Sequence, residues 1–502
     1  MKKTLIAVVA GLALLVRAQA ATTLVKGALL ITEKTRDEVP YVGYFTYGDD
    51  GKIIAIGAGA PPASISAEKV IDATGKIIAP GFISSHSHLY SGPLRGLGVT
   101  DTLYGWGKAW GIYNQLANPD DIYWFTLDGS VDFLRNGITT AFDFTYGAAV
   151  GGQAVGTQVV GAPPHLKPGP FDENQLQAKI DAGLRFIDAV GLPRVGTHDE
   201  IIARYGRIYK YAYDHFGSNP LFLKMALSGG VQRAPSKETA YLEVEVMKKF
   251  NVMDHSHMLE SPEHVPDQQS KVYWYQEAGA LGPNFLFAHF IQTNDDIVRI
   301  AGAAGCGMSW QPTSNSRLAS GVADIVKYQK EGVKVSVGLD NQSCCDLCDP
   351  FQNMRIGLAL IRTKYKDAKA LSVEEMLYLH TLGSAKTLGI DDKVGSLEPG
   401  KFADFLVVDP RDPETGPLLV PIAHYVYSCG LRNLQKVYVG GKLVADGTKV
   451  LTVDEAKMRR EIDDRVARLD AQVKALPKAV AESMQEDSST LDMESDLLAL
   501  DR

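Results

Sequence analysis

Long apolar stretches are scarce in this chain of 502 residues. After residue 20 no run approaches the roughly 18 apolar residues that a membrane-crossing helix needs, so no later segment is expected to span a bilayer. Cysteine is scarce as well. Five in all exclude a disulfide-stapled framework, which a chain of this length does not need. Positive charge is in deficit, with 51 Lys and Arg against 59 Asp and Glu and a formal charge of −8. Such a chain has no cationic surplus to neutralise phosphates or anionic lipid, so nucleic acid and membrane are excluded as partners. What is present is ordinary for a globular protein: 45% hydrophobic and 22% charged residues, proportions that predict a large buried core.

The compact apolar run that does exist lies at the start. Lys2 and Lys3 form a positive flank, Leu5 to Val16 an apolar stretch, and Ala18-Gln19-Ala20 a small-x-small cleavage site, so residues 1–20 read as a secretory signal. The expectation is an exported, soluble protein, periplasmic or extracellular, beginning at Ala21 and assembling as a homo-oligomer. In that compartment Cys345 and Cys348 are a candidate pair; buried free thiols are the alternative.

Punctuation by Gly, Asp and Pro divides the rest. Residues 21–81 carry short apolar runs such as Lys52-Ile-Ile-Ala-Ile-Gly and read as a small sheet, and 396–452 turn β-rich again and are expected to complete it. Between them, residues 82–395 alternate short apolar runs with helical stretches, for example Ala323 to Glu331 followed by Val333 to Val337. Alternation of that kind over some 300 residues predicts an α/β fold, a (β/α)₈ barrel with its site where the strands end. Residues 147–170, rich in Gly, Pro and Ala, read as a long loop expected to gate that site, with an idle insertion as the alternative. From 453 to 502 the chain reads as a solvated charged helix and then an acidic tail.

Ionisable residues recur at the ends of the predicted barrel strands. His86-Ser-His88 closes one apolar run, and on a strand i and i+2 share a face, so both imidazoles can reach one ion. His255-Ser-His257 closes another, with Glu260 three residues on; His289 ends Phe285-Leu-Phe-Ala, and Asp340 ends Val333 to Leu339. Trp106 and Trp110, four residues apart after the first of these strands, are either core, a subunit contact or a wall of the substrate pocket. The remaining histidines, such as His198, His215 and His380, have no partner at metal spacing and read as surface or packing groups.

Taken in order, several segments resemble the amidohydrolase superfamily, in particular its cyclic deaminases and triazine chlorohydrolases. They are Pro80-Gly-Phe-Ile-Ser-Ser-His-Ser-His88, Leu94-Arg-Gly96, Asn136-Gly-Ile-Thr-Thr140, His257-Met-Leu-Glu260, Ala288-His289, Pro312 to Gly321, Val337-Gly-Leu-Asp340 and Gly395-Ser-Leu-Glu-Pro-Gly-Lys-Phe-Ala-Asp404. The resemblance implies a barrel flanked by a composite β-domain from both chain ends. It also implies one divalent metal held by His86, His88, His257 and Asp340, zinc first and iron(II) also suitable. In that family the metal acidifies a bound water; Asp340 is then implied as proton acceptor, Glu260 as proton shuttle and His289 as the group that polarises the reacting carbon's substituent. His255 is an alternative to His257. Lys224 resembles the strand-four lysine that, carboxylated, bridges two metals in binuclear relatives, a second arrangement of the site. The strand-eight run Asp340-Asn-Gln-Ser-Cys-Cys departs from the common Asp-Gly-x-x-Ser-Asn pattern, which bears on substrate contacts.

The activity implied is hydrolysis at an sp² carbon bearing nitrogen in a small-molecule substrate. Export favours amide, urea, carbamate or amidine cleavage of an external compound; nucleobase or nucleoside deamination is the alternative, and a non-catalytic binding barrel a further one.

Overall fold

The structure, a computed structural model, describes residues 22–146, 170–193 and 196–482. The leader, all but the last residue of the 147–170 loop, and the acidic tail beyond residue 482 lie outside the described residues.

Strands β1 (Thr22–Leu30), β2 (Tyr41–Gly48), β3 (Ile53–Ala58), β4 (Lys69–Asp72) and β5 (Ile77–Pro80) come from the start of the described chain. They join β14 (Phe405–Val408), β15 (Leu434–Val439) and β16 (Lys442–Ala445) in one sheet, ordered β16-β15-β14-β5-β1-β2-β3 with β4 paired to β1. One residue, Gly81, carries the chain from this sheet into the barrel. A Cβ there would fall 2.1 Å from the Thr139 hydroxyl, so only glycine lets the two units approach so closely.

The barrel strands are β6 (Phe82–Ser87), β7 (Ile138–Phe144), β8 (Arg185–Gly191), β9 (Phe222–Gly229), β10 (Asp254–Met258), β11 (Phe285–His289), β12 (Gly307–Trp310) and β13 (Lys334–Val337). All are parallel and paired in chain order, with helices between, which is the (β/α)₈ arrangement. Ring closure falls on the site itself. Asp340 N–H donates to His86 O at 3.0 Å and His88 N–H to Asp340 O at 3.2 Å, joining the last strand to the first. Gly338 permits this, because a Cβ there would meet the His86 backbone at 2.9 Å. At the other end of the barrel the buried Arg185 guanidinium grips Asp404 with two bonds of 2.7 and 2.8 Å, fastening the barrel to the β-domain just ahead of β14.

Helices start where capping chemistry allows. Asn118 and Asp121 form a reciprocal capping box around Pro119 at the head of the helix Pro119–Arg135, and Thr197 with Glu200 does the same for His198–Phe216. The helix Glu455–Ala475 corrects the expectation of a solvated element. Met458, Ile462 and Leu469 form a buried stripe at helical spacing, and Arg465 and Arg468 pair with Asp121 on the helix Pro119–Arg135. Its many charges conceal that stripe in the sequence. Among the described residues no helix is long and apolar enough to cross a membrane.

Candidate metal centre

The barrel brings the candidate side chains to one mouth. His86 lies in β6 and His88 just beyond it, His257 is in β10 with Glu260 after it, His289 closes β11, and Asp340 follows β13. Nitrogens of His86, His88 and His257 lie within 4.8 Å of one another, and so do ligand atoms of His86, His289 and Asp340. Asp340 Oδ1 is 3.7 Å from Nε2 of both His86 and His88, and the Nε2 atoms of His88 and His257 are 3.1 Å apart.

Electrostatics at this mouth suit a cation. Burial pushes the imidazoles of His86, His257 and His289 well below their ordinary range, and that of His88 down to about 3, so the rings favour the neutral state that a metal ligand needs. Both ring nitrogens of His86 are buried without a hydrogen-bond partner among the described residues. An orphaned polar ring is costly in a protein interior, and a divalent ion at the convergence of these nitrogens would satisfy it. The donor set therefore fits a metal.

The surrounding groups fix orientation. Ser314 Oγ donates to Asp340 Oδ2 at 2.6 Å and Asn341 Nδ2 to Oδ1 at 3.0 Å, leaving lone pairs on both oxygens toward the histidines. Asn315 Nδ2 donates to His289 Nδ1 at 2.8 Å, which places the ring proton on Nε2, 3.5 Å from Glu260 Oε2. His289 thus presents an N–H to the site rather than a lone pair, the state suited to polarising a substrate. Burial, and then the Asp340 carboxylate, lift the Glu260 carboxyl well above the usual range; Arg233 opposes them. His289 and Asp340 hold φ values of 64° and 63°, a left-handed backbone that costs about 1–2 kcal/mol for each non-glycine residue. Such strain persists because the closing bonds of the barrel over-determine the conformation.

Several sequence readings resolve differently in space. His255 points into the barrel one layer below His257, between the rings of Phe142 and Phe144, outside both ligand triads. Lys224 corrects the binuclear alternative. It sits near the start of β9, at the far end from the mouth, where its Nζ donates to Leu388 O at 2.7 Å, so it cannot bridge ions held by His86 and Asp340. Trp106 donates from Nε1 to Ser343 O at 2.9 Å and packs in a small core cluster with Leu103, Leu318 and Cys344, with Trp110 packed against it, which is the core reading of this pair. Sequence reasoning assigned no role to Ser314, Asn315 or Arg233, nor to Asp143, whose carboxylate accepts Leu89 N–H at 2.9 Å next to His88. Strand-end position was the signal available for Asp143 and Arg233. Cys345 and Cys348 are free and buried, with their sulfurs 3.1 Å apart.

Comparison with known proteins agrees with this geometry. The amidohydrolase family model matches residues 77–444. A 5-methylthioadenosine/S-adenosylhomocysteine deaminase from Desulforudis audaxviator is 28% identical over 450 residues, covering 86% of this chain and 97% of the relative. A 5′-deoxyadenosine deaminase from Methanothermobacter thermautotrophicus is 27% identical over 409 residues, 80% of this chain and 89% of that protein. The fold matches an adenosine deaminase from Xanthomonas campestris with bound zinc, at a TM-score of 0.76 and 20% identity over 90% of this chain and 99% of the other. It also matches an atrazine chlorohydrolase from Arthrobacter aurescens complexed with zinc, at a TM-score of 0.73 and 19% identity over 88% of this chain and 100% of the other. A family match that runs from β5 into β16, over a barrel whose histidines, glutamate and aspartate meet at one mouth, places this chain in the amidohydrolase family.

Proposed function

We propose that this protein is a zinc-dependent deaminase of an aminopurine nucleoside, replacing the exocyclic amine by oxygen and releasing ammonia. The observation that carries this reading is the alignment, over most of both chains, with curated deaminases of adenosine-type compounds. It reverses the order suggested by the leader-like sequence, which put amide-type cleavage of an external compound first.

His86, His88, His257 and Asp340 would hold the ion. When bound, a divalent ion supplies Lewis acidity and a water acidified toward neutral pH. Asp340 is placed to accept the proton that the attacking water loses. Glu260, its carboxyl lifted by burial, can deliver a proton to the ring nitrogen beside the attacked carbon; the proton that Asp340 took then goes to the departing amine, and the proton of the added hydroxyl restores Glu260. His289, with its proton on Nε2, donates to the same region and holds the carbon's substituent in line.

Zinc-loaded protein given adenosine, 5′-deoxyadenosine and a panel of simple amides and ureas is expected to release ammonia from the nucleosides. Release from the amides alone would overturn this reading. An exported location is supported by residues 1–20 only; sequencing the amino terminus of protein from its native host should find Ala21 first, and a retained Met1 would remove it.

A further inference from the structure

We propose that Asn353 is a positioning residue for the metal centre: through Thr313 it holds the short helix Pro312–Arg317 where Ser314 and Asn315 can orient Asp340 and His289. The inference rests on the metal-hydrolase reading of Asp340 and His289 and is independent of which substrate the site takes.

Ser314 and Asn315 are consecutive residues of one helix, yet they serve different strands of the mouth. Ser314 Oγ donates to Asp340 Oδ2 at 2.6 Å, just past β13, and Asn315 Nδ2 donates to His289 Nδ1 at 2.8 Å, at the end of β11. A helix of six residues has too few internal bonds to hold its own shape and place. Its position must be set from outside, to within about 0.5 Å, because one of these bonds aims a proton acceptor and the other selects a ring tautomer.

Asn353 supplies that anchor. It lies in the first turn of the helix Pro350–Tyr365 and is fully buried. Its Oδ1 accepts both the N–H of Thr313, at 3.1 Å, and the Thr313 hydroxyl, at 2.8 Å, on the residue just before Ser314. Its Nδ2 donates to Gly338 O at 3.1 Å and, over a longer 3.4 Å, to His380 Nε2. Gly338 stands two residues before Asp340, at the seam where the barrel closes on His86. One amide therefore spans from the chain that carries Asp340 to the helix that orients it.

The partners leave this side chain one arrangement. Thr313 N–H can only donate and Gly338 O can only accept, which fixes the amide's orientation. His380 Nδ1 lies 3.0 Å from Ile83 O, so the ring proton sits there and Nε2 offers its lone pair to Asn353. All four hydrogen-bonding positions of the amide are then filled, the condition under which a buried polar group makes its surroundings rigid. The mount is firm as well. A Cβ on Gly357, one turn further along the same face, would meet the Trp310 ring at 3.1 Å, and Phe351 packs edge-on against Phe82 of β6 at 5.2 Å.

The test is a pair of double-mutant cycles, one read in zinc affinity by chelator competition on the apo protein, the other in kcat and KM with adenosine. Circular dichroism and thermal melts accompany each variant. Asn353→Ala should weaken zinc about 10-fold and lower kcat about 10–100-fold with KM close to wild type. Added to Ser314→Ala it should weaken zinc no further than Ser314→Ala alone, and added to Asn315→Ala it should lower kcat no further than Asn315→Ala alone, because each pair acts along one path. Losses that multiply in either cycle, as for a residue that only supports the fold, overturn the proposal, and so do zinc affinity and kcat equal to wild type. Asn353→Asp keeps the volume but turns an oxygen toward Gly338 O and the His380 lone pair; it should lose as much as Asn353→Ala, and full retention overturns the proposal too. If Asn353→Ala does not fold, Thr313→Val breaks the 2.8 Å bond from the other side and enters the same cycles with single losses of about 2–10-fold, and no loss there overturns it. If wild type binds zinc but releases no ammonia from nucleosides, the deaminase reading fails and the zinc cycle with Ser314→Ala alone decides the positioning role.

Discussion

Replacing Lys179 by Met should destabilise the fold and loosen the metal centre together. Lys179, on the helix Phe171–Ala182, is fully buried; its ammonium donates to Asp143 Oδ2 at 2.6 Å and to Asp188. The two carboxylates lie on adjacent strands, β7 and β8, and are buried as deeply. Burial lifts Asp188 to about 6 and raises Asp143 even with the ammonium between them. Without that ammonium, two carboxyls face each other with the Leu89 N–H as one remaining donor. Breaking a buried charge cluster by removing one partner costs about 3–5 kcal/mol, roughly two to three and a half decades in the folded-to-unfolded ratio. Both folded-state carboxyls lie above the unfolded value, so each proton bound favours the folded state, and the cost should shrink as pH falls from 7.5 to 5.5. Asp143 also holds the backbone immediately after His88, so zinc affinity should fall about 10–100-fold. Urea denaturation at the two pH values, with zinc measured in the folded fraction, reads both effects. Lys179→Met/Asp188→Asn should recover part of the stability. A single variant within about 1 kcal/mol of wild type, little more than an ordinary surface change costs, or a cost independent of pH would refute the reasoning.

Three further outcomes are expected. Glu260→Gln should keep its zinc and lose about 10²–10⁴-fold in kcat, because the amide has no proton to deliver; full activity would remove Glu260 from the chemistry. Asp340→Asn and His88→Ala should each lose bound metal on dialysis while wild type retains close to one ion per chain, and retention by both variants would displace the assigned ligand set. Glu33 is buried, and burial lifts its carboxyl to about 8, so the folded state loses stability as pH rises from about 4.5 through 8. Glu33→Gln should therefore gain on wild type by a margin that grows between pH 5 and pH 8, at most about 4–5 kcal/mol; thermal melts showing the same difference at both values would contradict this.

The barrel was legible because its strands are short apolar runs between helices of clear period, as in Val333 to Val337 after the helix that ends at Lys330. The exception is β10. Its residues Asp254-His-Ser-His-Met258 are a strand composed almost wholly of polar groups, so the apolar signal points to Val252 and Met253 just ahead of it. Inside a barrel the inward face of a strand end belongs to the site, and there chemistry overrides the hydrophobic pattern. The helix Glu455–Ala475 failed the other way: three buried side chains among many charges are too few to stand out, yet they suffice to dock it.

By itself the sequence determined which chemistry-bearing residues exist and that they fall at strand ends, since spacing along a strand is a local property. It also carried the order of motifs that marks the family. Tertiary structure decided what depends on rotation about the barrel axis and on distance across it. It set His257 rather than His255 beside His88, put Lys224 at the far end of its strand, and gave His289 its tautomer through Asn315. These are contacts between residues tens to hundreds of positions apart, and no local pattern encodes them, because each exists only once eight strands have closed on the bond between Asp340 and His86.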